Sequence, residues 1–306
     1  MKSSLKMIPV VLLFGVFFFF VLFPINDLKD RVISLVSEGS QNQVYLQFEE
    51  MNLDIVPTPG MTLTEVEVDA VGFESIKADS VSVRPTIGTL LTGWMTNKVG
   101  GTAVMSGIFG GEAKVYGKVI DPSPENFSIE YDLNLADTQI GSVIKWLPVD
   151  GNLQGSLNAE SSGTLDLTYK TQPNLTFKAE ASSLKIVSLS FPTPLGPFTL
   201  PPMKVNQFVL AGNWQEGVLN LEDVRIGKDR DDLEGTIKGT VNLRMVNGRV
   251  MPEKYNLSFR FKISSGIQNQ FGAILEGLGI SKFKSGENYS FKAEGTPYEM
   301  PRFSRL

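Results

Sequence analysis

Asp229, Asp231, Asp232 and Glu234 form the densest acidic run of the chain, and carboxylates at this spacing are the raw material of an oxygen-ligated calcium loop. An EF-hand loop needs a third oxygen ligand at its fifth position and glycine at its sixth; Leu233 and Glu234 stand there instead. The run therefore reads as a solvated turn. Gly110-Gly111 and Gly117-Lys118 offer fragments of a phosphate loop, but Glu112 sits where the G-x-x-x-x-G-K spacing demands its first glycine. Ser-x-x-Lys spacings occur at Ser3/Lys6, Ser182/Lys185 and Ser281/Lys284, with no K-T-G partner to build a serine acyl-transfer site. The sequence has no cysteine and no histidine, which removes thiol nucleophiles, disulfides, zinc sites of the usual nitrogen or sulfur ligands, and imidazole-based triads. Carboxylate, lysine or tyrosine chemistry and oxygen-ligated metals remain. No constellation converges in the sequence, short of a carboxylate dyad assembled only by the fold, so the expectation is a non-enzymatic protein with no catalytic, cofactor or metal site.

Positioning elements are easier to read than chemistry. With Lys+Arg 28 against Asp+Glu 33, the net charge is −5, and no basic field exists to hold a nucleic-acid backbone. A composition 42% hydrophobic and 20% charged is that of a folded chain, and 306 residues allow one large domain or two medium ones.

From Met7 to Asn26 there is no charge, and the run IPVVLLFGVFFFFVLFPI holds six of the 20 phenylalanines. About 20 apolar residues suffice to cross the hydrocarbon core, whereas the apolar part of a cleaved signal peptide is about 7–15 residues long. No small-residue cleavage site follows Leu22-Phe23-Pro24, so residues 1–26 read as a short cytoplasmic tail and an uncleaved transmembrane anchor. Lys2 and Lys6 before the run are matched by Lys29 and Arg31 after it, so charge alone does not orient it. The short tail and the cysteine-free, strand-rich remainder favour a bacterial inner-membrane protein with its C-terminal part in the periplasm. Asn-x-Ser/Thr triplets at Asn126, Asn174, Asn256 and Asn288 are the one feature of a glycosylated ectodomain.

Residues 27–40 form a juxtamembrane segment, in which Leu28, Val32, Leu35 and Val36 share a helical face and Asp27 and Asp30 favour the helix N-terminus. It is either an interfacial or docking helix, or a spacer. After Gln41 the period falls to 2: Tyr255–Ile263 (YNLSFRFKI), Phe127–Leu135, Val66–Ala70, Ala113–Val119 and Leu175–Ala179 alternate apolar and polar residues between turn residues. Residues 41–306 therefore form a mainly β domain, expected as a large antiparallel, curved sheet or open, barrel-like groove with a few short amphipathic helices. Helical patterns appear over Thr86–Trp94, over Asp137–Leu147 with Asp137 as cap, and along Ile267, Phe271, Ile274, Leu275 and Leu278. Gly151/Gly155 and Gly235/Gly239 share a G-x-Φ-x-G-x-Φ pattern, Φ being apolar, which allows close approach or bending within a strand, or marks hairpin bends. Five of the 17 prolines fall in Phe191–Pro202, which reads as an extended connector between two lobes joined near 191–202.

A one-face-apolar sheet of this size must cover its dry side with helices or with an apolar ligand. The candidate groove is Tyr255, Leu257, Phe259, Phe261 and Ile263, with the segment carrying Ile267, Phe271, Ile274, Leu275 and Leu278 as its lid, and lipid as the ligand.

The layout of anchor, short helix and glycine-punctuated strands resembles the long form of the type II (general) secretion pathway protein N family. The resemblance is carried by Leu90–Trp94 (LLTGW), Gly100–Val104 (GGTAV), Gly110–Ala113 (GGEA), Leu147–Gly155 (LPVDGNLQG), Leu210–Leu221 and Asp232–Leu243. The G-x-L-x-G repeats are also similar to those of the AsmA-like envelope proteins, whose sheets form an apolar groove implicated in lipid movement. The first resemblance implies an inner-membrane accessory subunit that meets other anchored secretion subunits or the outer-membrane secretin; the second implies a periplasmic groove that binds or moves lipid.

Overall fold

The computed structural model describes residues 25–306 apart from 40, 41, 43, 55–57, 71–73, 87, 89–98, 124–125, 147–149, 169, 194–195, 247–248 and 298. The anchor expected over residues 1–26 lies outside the described residues up to position 24, as does nearly all of the helix expected over Thr86–Trp94. Among the described residues no helix is long and apolar enough to cross a membrane.

The described residues form, with a few short helices, one large antiparallel sheet of 17 strands. In chain order these are β1 (Val44–Gln47), β2 (Glu50–Asp54), β3 (Gly60–Ala70), β4 (Ile76–Pro85), β5 (Gly100–Ile108), β6 (Gly111–Asp121), β7 (Ser128–Gln139), β8 (Asp150–Asp166) and β9 (Asn174–Thr193). They continue with β10 (Gly196–Leu200), β11 (Met203–Gln215), β12 (Val218–Ile226), β13 (Leu233–Val246), β14 (Arg249–Ile263), β15 (Lys284–Ser285), β16 (Asn288–Gly295) and β17 (Arg302–Arg305). From β3 to β9 each strand pairs with its predecessor, and β11 to β14 repeat the pattern after β9. Both borders are composite. β1 and β2 pair with opposite ends of β3, and β15 and β17 do the same to β16.

Opposed residues of an antiparallel pair share a face, so register partners can be followed across the whole sheet. One row reads Leu63, Val81, Met105, Ala113, Leu135, Ala159, Ala179, Leu210, Val224, Ile237, Phe259, Phe291, with no polar side chain from β3 to β16. A row on the opposite face reads Thr102, Tyr116, Asp132, Ser162, Thr176, Asn213, Asn220, Thr240, Asn256, Glu294, Arg302. Alternation seen in single strands thus becomes a two-faced sheet.

Among the described residues two longer helices lie on the apolar side, and the short turn at Ile140–Trp146 adds Ile140 and Ile144 to the larger cluster. The Ile25–Gly39 helix packs Leu28, Val32 and Ile33 against Phe48, Met51, Leu63 and Val66, which makes it a docking helix; the side chain of Leu35 lies outside the described ones. Lys29 donates to the carbonyl of Glu49 (3.0 Å) and lies over the Phe48 ring. The Ser265–Gly277 helix joins the larger cluster, which draws on β8, β9, β11, β14 and β16.

Two expectations are corrected, and a choice between two readings is decided. Residues 191–202 are no free connector: β9 and β10 form a hairpin in which Pro192 opposes Pro197, and β11 pairs with the preceding part of β9. Proline is accommodated there because β10 is short and broken from β11 at Pro201-Pro202, so few ladder donors are missed. Asp137 caps no helix. β7 runs on to Gln139 through a bulge at Asp137 (φ 54°), whose N–H is taken by Asn158 (2.8 Å), and the helix starts only at Ile140. The glycine pairs, finally, lie within strands and not at hairpin bends. At Gly239 (φ +142°) a Cβ would come within 2.1 Å of the Asn256 carbonyl oxygen, so both backbone conformation and close approach demand glycine.

The turn after β8 is organised by one carboxylate. Asp166, 6% exposed, accepts from Thr168 N (2.8 Å) and Oγ1 (2.6 Å), Lys170 N (3.0 Å), and Thr171 N (2.8 Å) and Oγ1 (3.1 Å). Burial pushes its pKa up, but the hydrogen bonds from Thr168 and Thr171 outweigh burial and hold it at about 2. The folded value lies below the unfolded value of about 3.9, so this stabilisation is complete above that value and is lost as pH falls from about 4 to about 2. Asp166→Asn is expected to destabilise the protein by about 1–3 kcal/mol at pH 7, because backbone donors lose their acceptor. Urea titrations of variant and wild type should converge as the pH approaches 2.

Candidate functional site: an apolar sheet face

The alternation of β14 directs Tyr255, Leu257, Phe259, Phe261 and Ile263 to the apolar face, and the register decides what each one meets. Ile263 is buried beside the Ser265–Gly277 helix. Phe261 stacks on Tyr289 (5.0 Å between centroids) and Phe259 on Phe291 (5.2 Å). Phe291 also meets Phe261 and Phe303 edge-on and Phe283 at a tilt, which makes it the hub of an aromatic cluster. Tyr255 is half-buried, and burial raises its phenol pKa.

Leu257 is placed differently. Its cross-strand partners are Gly239 and Ala293, so no large cross-strand neighbour covers it, and it is half-buried outside the helix-covered cluster. The same row continues through Leu221, Gly212, Phe177, Ser161 and Leu133 to Val115, and except for the small buried Gly212 these residues are half-buried. The next row sets glycines among large residues: Gly117, Tyr131, Gly163, Leu175, Trp214, Leu219, Val241, Tyr255, Gly295. Missing side chains leave room for neighbouring rings to lie over the sheet. A Cβ on Gly212 would meet the Phe177 ring at 3.0 Å, and one on Gly295 would meet the Tyr255 hydroxyl at 2.8 Å.

Within the expected lid, Ile267, Phe271 and Leu275 are buried in the cluster and Leu278 packs at its edge; the side chain of Ile274 lies outside the described ones. The helix shares its cluster with Phe259, Phe261, Tyr289 and Phe291, and Leu257, Leu221 and Phe177 fall outside that cluster. Strand geometry puts Tyr255 and Ile263 about 26 Å apart, at about 3.3 Å per residue. A helix is about 10–12 Å across, so it spans only part of that length.

Neighbours missed in the sequence reading include Tyr289, Phe291, Phe283 and Phe303. Asn288–Gly295 (NYSFKAEG) carries the period-2 pattern that identifies Tyr289 and Phe291; Phe283, in a short 3-10 turn, has no periodic context.

The polar face holds the ionic groups. Lys178 pairs with Glu180 (2.8 Å), Arg225 with Asp223 (3.0 Å) and Lys292 with Glu294 (2.8 Å). Hydrogen bonds from the lysines hold the Glu180 and Glu294 carboxyls below the usual range, in exposed pairs that add little stability. The acidic run is not the solvated turn its composition suggests. Asp231, 8% exposed, accepts from Asn206 N (2.8 Å), Asn206 Nδ2 and Lys228 N (2.9 Å), while Asp232 accepts from Lys204 N (2.8 Å) and Ser264 Oγ (3.0 Å). These carboxylates staple the β12–β13 turn to β11 and to the start of the helix.

This division between sheltered and open apolar residues is measurable. Phe291→Ala should cost about 3–5 kcal/mol in urea unfolding, the loss expected of a buried aromatic. Leu257→Ala should cost less than half as much, because Leu257 is smaller, only half-buried and flanked by Gly239 and Ala293; equal losses would show that Leu257 is ordinary core. Comparison with protein-family models, curated proteins and solved structures finds no match to this chain.

Proposed function

We propose that this chain is a non-enzymatic protein of the bacterial envelope, anchored in the inner membrane by the apolar run at residues 7–25, whose periplasmic sheet receives acyl chains of lipid on its apolar face. One observation carries the reading: the row through Leu133, Phe177, Leu221 and Leu257, interrupted by a polar side chain only at Ser161, is half-buried and outside the helix-covered cluster. An apolar ligand laid along it would complete the burial of these side chains. An acyl chain is about 15 Å long, half the thickness of a hydrocarbon core, and fits along the row, in which six inter-strand spacings of about 4.8 Å separate Leu133 from Leu257. The similarity of the glycine repeats to those of AsmA-like proteins supports the same reading.

A second reading, an accessory subunit of the type II secretion machinery that meets anchored subunits or the secretin, draws on the resemblance to protein N. The segments that carry it, Leu210–Leu221 and Asp232–Leu243, form β11, β12 and β13 at the heart of the sheet. Crosslinking in intact envelopes followed by pull-down separates the two: recovery of secretion subunits favours the second.

Native mass spectrometry of the wild type should find copurifying lipid, and Leu257→Glu together with Phe177→Glu should remove it while the circular dichroism of the sheet is unchanged. A lipid-free wild type would defeat the acyl-chain reading. The wild type should also stay in the membrane through carbonate and high-salt washes, and Val16→Asp should impair insertion at a cost of about 2.5–3.5 kcal/mol. A soluble form beginning near Asn26 would mean that the apolar run is cleaved.

A further inference from the structure

The Ser265–Gly277 helix is secured at both ends and weak between them. At its start, Ser264 donates through Oγ to Asp232 (3.0 Å) and through its N–H to the Asp232 carbonyl (2.9 Å), and Asp232 is itself held by Lys204. At its end, Gly279 (φ +67°) donates to Glu276 O (2.9 Å) and Ile280 to Leu275 O (2.7 Å), the two bonds of a Schellman motif. Ile280 and Leu275 share the buried cluster, which supplies the apolar contact that accompanies such a cap.

Between these fixtures stands Gly272, and a second glycine, Gly277, lies inside the terminal motif. Glycine in a helix is usually explained by a neighbour too close for a Cβ or by a positive φ, and neither applies here. A Cβ at Gly272 or Gly277 would meet nothing within 4 Å, and neither has a left-handed backbone. Several sheet glycines contrast sharply: a Cβ on Gly163, Gly212 or Gly239 would strike backbone at 2.1–2.2 Å. The helix thus carries two residues of poor propensity that packing does not require. Three buried side chains, Ile267, Phe271 and Leu275, hold it on the sheet.

We infer that the helix is a tethered lid: its start and its capped end from Leu275 to Ile280 stay fixed while its middle unwinds at Gly272, freeing the aromatic face of β14 and β16 for an acyl chain that competes with Ile267 and Phe271. This rests on the acyl-chain reading above and adds how access is controlled. Weak helix propensity keeps the opening free energy below that of the sheet, as elements that move must have. Fixed ends let the lid re-form without searching for its place.

The test uses the full-length chain in phosphatidylcholine nanodiscs, read by hydrogen exchange and by crosslinking to a diazirine-bearing C16 fatty acid. Amides of residues 268–275 are expected to exchange by local opening, well ahead of those in β13 and β14. Gly272→Ala should slow that exchange about five-fold, the factor set by the helix propensities of glycine and alanine, whereas Gly277→Ala, inside the fixed end, should leave it unchanged. Gly272→Ala should raise the probe concentration for half-maximal crosslinking by the same factor, because the open state that binds is depopulated. Exchange of 268–275 only in step with the strands overturns the lid. So does slowed exchange with unchanged crosslinking, which would leave acyl binding standing elsewhere on the face. If the wild type takes up no probe, the acyl-chain reading fails by itself, and the exchange data alone decide whether the helix opens.

Discussion

Keeping one apolar row in register from β3 to β16 is the constraint on which the rest of this molecule depends. A slip of one residue at any pairing would turn every later side chain to the other face, placing Lys178 or Arg260 among the phenylalanines. Extra residues are nevertheless inserted, at 222–223 in β12 and at 136–137 in β7, and each time the partner register shifts so that Val224 and Leu135 keep their side. Positive-φ residues occur at or beside several such irregularities, Asp137, Gly155 and Ser183 among them, because a bulge needs a backbone turn that the regular strand lacks. Bulges here preserve the alternation.

Small residues on the apolar face serve the same order by a different route. The Phe177 ring takes the space left at Gly212, and the Tyr255 hydroxyl the space left at Gly295. Buried clusters form where helices meet the face, around Phe291 and around Met51 and Leu63. The row through Leu257 lies outside the Phe291 cluster and away from the carboxylate staples at Asp166 and Asp231.

The fold class and the five β14 residues were legible because period-2 alternation is a local property that each strand displays by itself. Helix existence was legible at residues 265–277 for the equivalent reason. Features that depend on what lies opposite were not: Leu257 and Phe259 look alike in YNLSFRFKI and both are half-buried, and only Gly239 and Ala293 on one hand, and Phe291 on the other, leave the first outside the helix-covered cluster and pack the second against it. Residues 191–202 misled because proline density speaks of missing donors, whereas pairing depends on which donors are used. Asp137 misled because a capping residue and a bulge residue share the same taste for unusual backbone, and the choice was made by the continuing ladder at Thr138. Asp231 misled because charge suggests water, while backbone N–H groups folded around it took the water's place.

The up-and-down strand order carries a consequence for how such a sheet is made. Nearly every strand finds its partner in the segment just before it, so each closure spans a short loop and costs little chain entropy, and growth proceeds by successive addition without long-range search. During that growth the newest strand always offers a bare edge, the geometry most prone to wrong pairing with another chain. Completion ends the exposure, because both borders finish in pairs of strands of at most five residues, carrying Glu50 and Asp54 on one side and Arg302 and Arg305 on the other. Such borders are poor templates, so the hazard of self-association belongs to the half-made sheet and fades in the finished one.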